Sequence, residues 1–478
     1  MGEEIPQTRF RPQDFSRFEA RLRAETETLR DCFAQESFAS EGESVGFELE
    51  FALIDETGRP VPRNQEILAK IEDSHLVAEL SRFNLEMNSD PHAIRGKVLS
   101  ILESELRRRL AVAEASAVSH HYHLLMIGTL PSLDESDLHL GTMSPLRRYR
   151  ALNERLLELR QGRPFHIEIH GREQLNTDHR DVMLEAAATS LQVHLQADFK
   201  RARRFFNASL IASAPLVALA ANSPYLFGRE LWEETRIPLF EQATGLDGGE
   251  SDSPLHPARV NFGWGYLRES ILECFEANLR DYPVLLPVVE ASKDSDLAHL
   301  RLHNGTIWRW NRPLVVPDAK RGLHVRIEHR VMASGPTPVD VVANIGAYLG
   351  LVHHLESLSP EPESALPFEA CRENFYRAAR QGLEAKLQWI DGREYRAVEL
   401  WREVLLGASL AALRHLGLDA ADLDHYMERT LGGRLNCGQN GSHWQRKWIE
   451  AHGRDFRALA RAYAEHQRQG LPVAEWKL

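Results

Sequence analysis

Cysteine is scarce in this sequence. Only four occur in 478 residues, Cys32, Cys274, Cys371 and Cys437, widely scattered and without a C-x-x-C pair. That pattern excludes a disulfide framework and a cysteine zinc site, and it suits a reducing cytoplasm. Excess positive charge is lacking as well. A formal net charge of −12 argues against nucleic acid or an anionic membrane as the main partner, though not against a nucleotide held through magnesium. The most apolar run, "LIASAPLVALAA" (Leu210–Ala221), is too short to span a bilayer and contains Pro215, so a buried helix is expected there. The start, "MGEEIPQTRF", shows neither the basic residues nor the apolar stretch of a signal peptide. Also missing are a G-x-x-x-x-G-K-[ST] phosphate loop, a G-x-S-x-G nucleophile elbow and an H-E-x-x-H helix. The cluster "HHYH" (His120–His123) has no acidic or cysteine partner nearby with which to hold a transition metal.

What is present describes a globular protein. The chain is 43% hydrophobic and 26% charged, enough to bury a sizeable core in one large domain or two to three ordinary ones. Apolar periodicity predicts helices over residues 13–34, 94–118 and 205–221. A further helix opens at "MSPLRRY", with Ser144 as N-cap and Pro145 in the first turn. Strands are expected at Val45–Asp55, within Ser81–Pro91, at the start of His123–Pro131, around Gln192–Gln196 and in "GLHVRIEHRVM". Gly245–Pro257 reads as a loop. After "SPEPESALP" (Ser359–Pro367) the pattern turns mostly helical. The expected organisation is an N-terminal helix (1–40), a sheet-bearing catalytic domain (41–360) and a helical C-terminal region (361–478), without internal repeats.

The strands share an unusual polar face. Side chains alternate along a strand, so Glu48 and Glu50 oppose Phe47, Leu49 and Phe51. In the same way Glu86 pairs with Asn88, His194 lies between Gln192 and Gln196, and Glu328 shares a face with Arg330. Each element alone has an ordinary explanation: a solvated face, a surface histidine, a turn support, a cross-strand ion pair. Side by side on antiparallel strands they would line a concave surface with carboxylates, a histidine and an arginine. Magnesium requires hard oxygen ligands, and arginine answers the charge of a phosphoryl group in transfer.

The order G-x-E-x-E, L-E-x-N, a V-H strand and E-x-R resembles the glutamate–cysteine ligase type 2 family of glutamine synthetase-like carboxylate–amine ligases. "GTLP" (Gly128–Pro131), "RRY" (Arg147–Tyr149), "ANSPYLFG" (Ala221–Gly228) with Arg236, "HNGTIW" (His303–Trp308) with Arg312, and "ENFYRAARQGLEA" (Glu373–Ala385) follow in the family's order. The likeness spans roughly residues 40 to 390. It implies an α+β fold, with a curved antiparallel sheet of about six strands, helices on its outer face and an ATP site at one end. It further implies that Glu48, His194 and Glu328 bind the metal on the ATP γ-phosphate, and that Glu50 and Glu86 bind a second metal beside the amino-acid substrates. Arg330, with Arg236 as second candidate, would act on the phosphoryl group, and Arg236, Asn304, Arg312 and Arg330 would contact the nucleotide. Three positions depart from the family pattern: Gln192, Leu130 and His329 replace residues more usual there. "CGQNGSHWQRKW" (Cys437–Trp448) matches a C-terminal family segment loosely, as a loop over the site or as a structural turn.

The function so implied is ATP-dependent amide formation through an acyl phosphate, using Mg2+ or Mn2+ and small-molecule substrates, an amino-acid-like carboxylate and an amine. Two rivals stand beside it: guanidino-kinase-like phosphoryl transfer to nitrogen, and a silent nucleotide- or amino-acid-binding protein. The sequence does not identify a general base, and a homo-oligomer is compatible with it.

Overall fold

Period-two alternation in the first strand sets the architecture. In the computed structural model, which describes residues 4–39, 42–246, 258–289, 293–318 and 322–478, Ser44–Asp55 forms β1. Phe47, Leu49 and Phe51 are buried on one face of it and Glu48 and Glu50 lie on the other. Then come β2 (Leu76–Ala78), β3 (Asn84–Asn88), β4 (His92–Ala93), β5 (Tyr122–Leu125), the hairpin β6–β7 (Phe165–His170, Gln174–His179) and β8 (Ser190–Ala197). The hairpin β9–β10 (Tyr225–Leu226, Arg229–Glu230), β11 (Asn311–Asp318) and β12 (Gly322–Ala333) complete the strands used below.

Six strands run antiparallel in the order β11–β12–β8–β1–β3–β2, with β4 and β5 adding to β1. β1 pairs with β8 as far as Leu49 and with β5 from Ala52, and the sheet curls into a half-barrel. Register is enforced by burial. A one-residue slip of β1 would turn Phe47, Leu49 and Phe51 into the concave face, forfeiting about 1.5–3 kcal/mol for each large apolar side chain exposed.

The helices that matter here, in chain order, are α1 (Pro12–Ala34), α2 (Asn64–Leu68), α3 (Val98–Val118), α4 (Arg147–Leu159), α5 (Ala202–Ala220), α6 (Arg236–Ala243), α7 (Leu272–Asp281), α8 (Ala298–Gly305) and α9 (Pro338–Ser357). α5 packs on β12 and against α9, covering the apolar face of the sheet. α5 is buried all round despite Pro215, whose carbonyl accepts from Trp401 Nε1 at 2.8 Å. Among the described residues no helix is long and apolar enough to cross a membrane. The four cysteines are free.

One local expectation is revised. Ser144 does not cap α4, which begins at Arg147. Its hydroxyl instead accepts from Asn64 Nδ2 at 3.1 Å, and the Glu4 carboxylate takes the backbone N–H groups of Arg147 and Arg148. The segment around Cys437–Trp448 is structural: Asn440 caps the helix Gly441–His452, bonds the Ala218 carbonyl of α5, and Gln445 bonds Asn222. β5 ends at Leu125 and the chain continues to Pro131 outside any strand, in line with a short strand leading into a loop. The loop expected at Gly245–Pro257 lies, from residue 247, outside the described residues.

Candidate active site

The concave face of the sheet borders a cavity of about 470 Å³, roofed by α4, α6, α7 and α8. Strand register delivers the acids to it. Glu328 on β12 lies opposite His194 on β8, and Glu48 on β1 sits one step diagonally from His194. His194 Nε2 is 3.3 Å from Glu48 Oε1 and 3.8 Å from Glu328 Oε1. Among the described residues this trio alone offers three histidine, cysteine or acidic ligand atoms within 4.8 Å of one another. Neither ring nitrogen of His194 has a hydrogen-bond partner.

Two arginines bond Glu328 of the trio, and a third, Arg326, lies on the cavity wall near Glu48. Arg312, opposite Glu328 in register, donates Nε and Nη2 to its two carboxylate oxygens at 2.7 and 2.8 Å. Arg330 reaches Glu328 Oε2 at 3.4 Å and keeps a buried Nε without a partner. A β-bulge between His329 and Met332 places one extra residue on β12 at this point, which re-aims the chain beside the cavity. Burial raises Glu328, but Arg312, Arg330 and His194 outweigh it and bring the carboxyl down to about 2. Glu48 is likewise held well below the usual carboxylate range, burial being overcome by positive charge that includes His194 and Arg330.

A second group of acids has the opposite character. Glu50 and Glu86 face each other across β1 and β3. Glu50 accepts from the Ser190 backbone N–H at 2.6 Å and Gln192 Nε2 at 3.2 Å, while Glu86 accepts from Asn88 Nδ2 and leaves Oε2 buried and unpaired. Burial and the neighbouring Glu86 and Glu185 push Glu50 up to about 8, and burial with Glu48 and Glu79 raises Glu86 strongly. Two further acids join them. Glu79, just after β2, is raised to about 8 by burial, Glu50 and Glu185, and Glu185 is raised to about 7 by burial. Arg330 acts on Glu50 and Glu185 and Arg148 on Glu79, yet burial and mutual repulsion outweigh them, and such a surplus of carboxylate is what a bound divalent ion would neutralise.

Not every expected residue arrives. Arg236 does not line the cavity; it is buried in a pair with Glu234 at 3.1 Å and bonds the Val331 carbonyl. Asn304 lies on the cavity wall, yet its amide is committed to Asn278 and the Pro313 carbonyl. Of the three departures from the family pattern, only Gln192 faces the cavity. His329 points to the helix side, stacked on Tyr348 at 4.4 Å and bonded to Asn311, with burial holding it down to about 3. Leu130 is in the core. Sequence reading missed Glu79 and Glu185 because neither lies on an alternating strand face: Glu79 follows a three-residue edge strand and Glu185 sits in a short 3-10 turn, Val182–Ala187.

A model of glutamate-cysteine ligase family 2 matches residues 44–462. Among curated proteins none matches the sequence. Among solved structures, a glutamate–cysteine ligase from Francisella tularensis in complex with AMP superposes with a TM-score of 0.56 at 13% identity, covering 92% of this chain and 96% of that one. At that identity the likeness is one of fold. A bifunctional glutathione synthetase from Pasteurella multocida gives 0.49 at 12% identity, over 89% of this chain and 52% of its own.

Proposed function

This chain belongs to glutamate–cysteine ligase family 2 and is a carbon–nitrogen ligase; we propose that it joins an amino-acid-like carboxylate to an amine in a reaction driven by ATP, through an acyl phosphate. One observation carries the reading: strand register gathers Glu48, His194 and Glu328 within ligating distance, beside Arg312 and Arg330, in a cavity of nucleotide size. The donor set of the trio, two carboxylates and one imidazole, fits a divalent ion; a second ion would rest on the oxygens of Glu50 and Glu86, which face each other across β1 and β3. Bound Mg2+ or Mn2+ at the two positions supplies charge neutralisation and orientation of the phosphates.

The protein's own groups supply the rest. Arg330, with a donor unused, serves the phosphoryl group as it moves from ATP to the substrate carboxylate. Arg312 keeps Glu328 ionised and oriented. Phe275, Leu302 and Trp308 give the cavity an apolar wall suited to a base. The amine, held beside the acyl phosphate, attacks its carbonyl carbon, loses a proton and displaces phosphate. Glutamate and cysteine are the family's default pair.

The test is release of ADP and phosphate from ATP with magnesium or manganese across a panel of amino-acid pairs, with Glu328→Gln as control. Release that needs both a carboxylate and an amine, and that vanishes in the variant, is expected. A phosphorylated amine without amide would place the protein among kinases and overturn the reading.

A further inference from the structure

Sheet order divides the main cavity into two ends. At one edge β11 carries Arg312, and α8 lies against it, with Asn304 Nδ2 donating to the Pro313 carbonyl at 3.0 Å. Leu302 of α8 belongs there to the wall assigned to the base. The trio occupies β12, β8 and β1 in the middle, and β3 and β2 form the other edge. There the roof is α4, whose Tyr149 hydroxyl donates to Glu79, just after β2, at 3.3 Å. A nucleotide reaching from the first edge to the trio leaves this second end to an amino-acid substrate. Its wall is apolar. Tyr149, Leu152 and Leu156 recur along α4 at the spacing of one helix face, and all three line the cavity. Leu80 and Ile5 line it as well, and so does Val182, whose N–H donates to Asn153 of α4 at 3.1 Å. The polar groups among them are engaged with one another. Arg148 donates to the Tyr149 hydroxyl at 2.9 Å and lies over that ring at 4.7 Å, and the Glu4 carboxylate takes the first N–H groups of α4. A hydroxyl, amide or second carboxylate laid on this wall would lose water without gaining a partner, whereas hydrocarbon gains by burial.

We propose that this wall receives the side chain of an apolar amino acid, aliphatic or aromatic, as one of the two substrates. The inference rests on the ligase reading above and narrows it, because neither member of the family's default pair carries a side chain of that kind. An apolar amino acid could bring either the carboxylate or the amine to the reaction. Its side chain asks the same of the wall in both roles, and the experiment takes each role in a separate arm.

Steady-state kinetics of the full-length protein would compare leucine with asparagine, which is close to it in shape, and phenylalanine with glutamate. In the first arm each serves as the carboxylate, with hydroxylamine as acceptor and the hydroxamate as readout. In the second each serves as the amine, with glutamate as the carboxylate and ADP release as readout. In one arm leucine should exceed asparagine roughly 10- to 100-fold in kcat/KM, and phenylalanine should likewise exceed glutamate. No such preference in either arm overturns the proposal. Leu152→Asn then tests the wall itself: it should remove most of the discrimination between leucine and asparagine and leave KM for ATP unchanged. A raised KM for ATP with discrimination intact would lay the base against α4, and equal losses with every amino acid would make Leu152 structural. Either outcome overturns the assignment. If wild type forms neither amide nor hydroxamate, the ligase reading falls first, and calorimetry with leucine and asparagine decides the wall by itself. Heat with leucine alone that disappears in Leu152→Asn supports it; equal heats, or none, refute it.

Discussion

Arg312 on β11 and Glu328 on β12 are direct cross-strand partners, and the guanidinium holds both carboxylate oxygens, at 2.7 and 2.8 Å. Both side chains are buried, so neither charge has water to fall back on. Removing one partner of a buried pair strands the other, at a typical cost of about 3–5 kcal/mol. Arg312→Met should therefore lower the urea-unfolding free energy by about that amount without metal, and added Mg2+ or Mn2+ should restore part of it. A loss under about 1 kcal/mol would mean the pair matters little to the folded state.

Gln192 offers a different handle, because it is the one family departure that touches the site. Its Nε2 and the Ser190 N–H hold the two oxygens of Glu50. Gln192→Leu removes one of those donors and leaves Glu50 held by the Ser190 N–H alone. Disturbing the support of a ligating carboxylate typically costs about 10- to 100-fold in affinity or activity, and the loss is expected in KM for the amino-acid substrates. KM for ATP should change little; a large rise there would put Glu50 on the nucleotide.

The two acid groups give stability opposite dependences on pH. Glu50, Glu79 and Glu185 have folded-state pKa values raised from 4.5 to about 8, 8 and 7, so the native state holds more protons than the unfolded one across that interval. The slope of unfolding free energy with pH is then negative, and stability is lost as pH rises from about 5 to about 8. Glu48 and Glu328 have lowered values, so their contribution is present above 4.5 and is lost only as pH falls toward about 2. Metal-free protein should thus melt several degrees lower near pH 8 than near pH 5, and Mg2+ should flatten the trend. Rising melting temperatures over that range without metal would contradict the buried, uncompensated cluster.

What sequence could show follows from periodicity. Glu48, Glu50, Glu86, His194, Glu328 and Arg330 were legible because each sits on a strand whose other face is apolar, and alternation alone fixes its side. Their convergence was not legible, since it depends on which strands pair and in what register. Arg236 shows the limit of carrying a motif over: it stands in order along the chain, yet Glu234, two residues before it, captures its guanidinium in the core. Glu79 and Glu185 had no period to reveal them. The helical C-terminal region was visible in composition, but its attachment was not. Tyr463 bonds Asn222 and the Met126 carbonyl, and Gln467 bonds the Met126 N–H and the Leu124 carbonyl. Those contacts join residues more than two hundred positions apart.

Arg330 separates binding from catalysis. The bulge in β12 sets it beside Glu328 at 3.4 Å, with Nε buried and unpaired, and Glu328, Glu50 and Glu48 keep it charged against its burial. A donor held ready in this way is worth most where charge develops during transfer and little to ground-state ATP. Arg330→Gln should lower kcat by roughly 10³-fold, in the range typical of an arginine that stabilises a transferring phosphoryl group. ATP binding, read by calorimetry with a non-hydrolysable analogue, should weaken only a few-fold. Arg330→Lys keeps the charge but loses the planar fork, so it should recover only part of kcat. If Arg330→Gln raises KM for ATP strongly and leaves kcat intact, the residue is a phosphate clamp of the ground state, and the transferring group must be met by another cation on the cavity wall, with Arg312 the first to test.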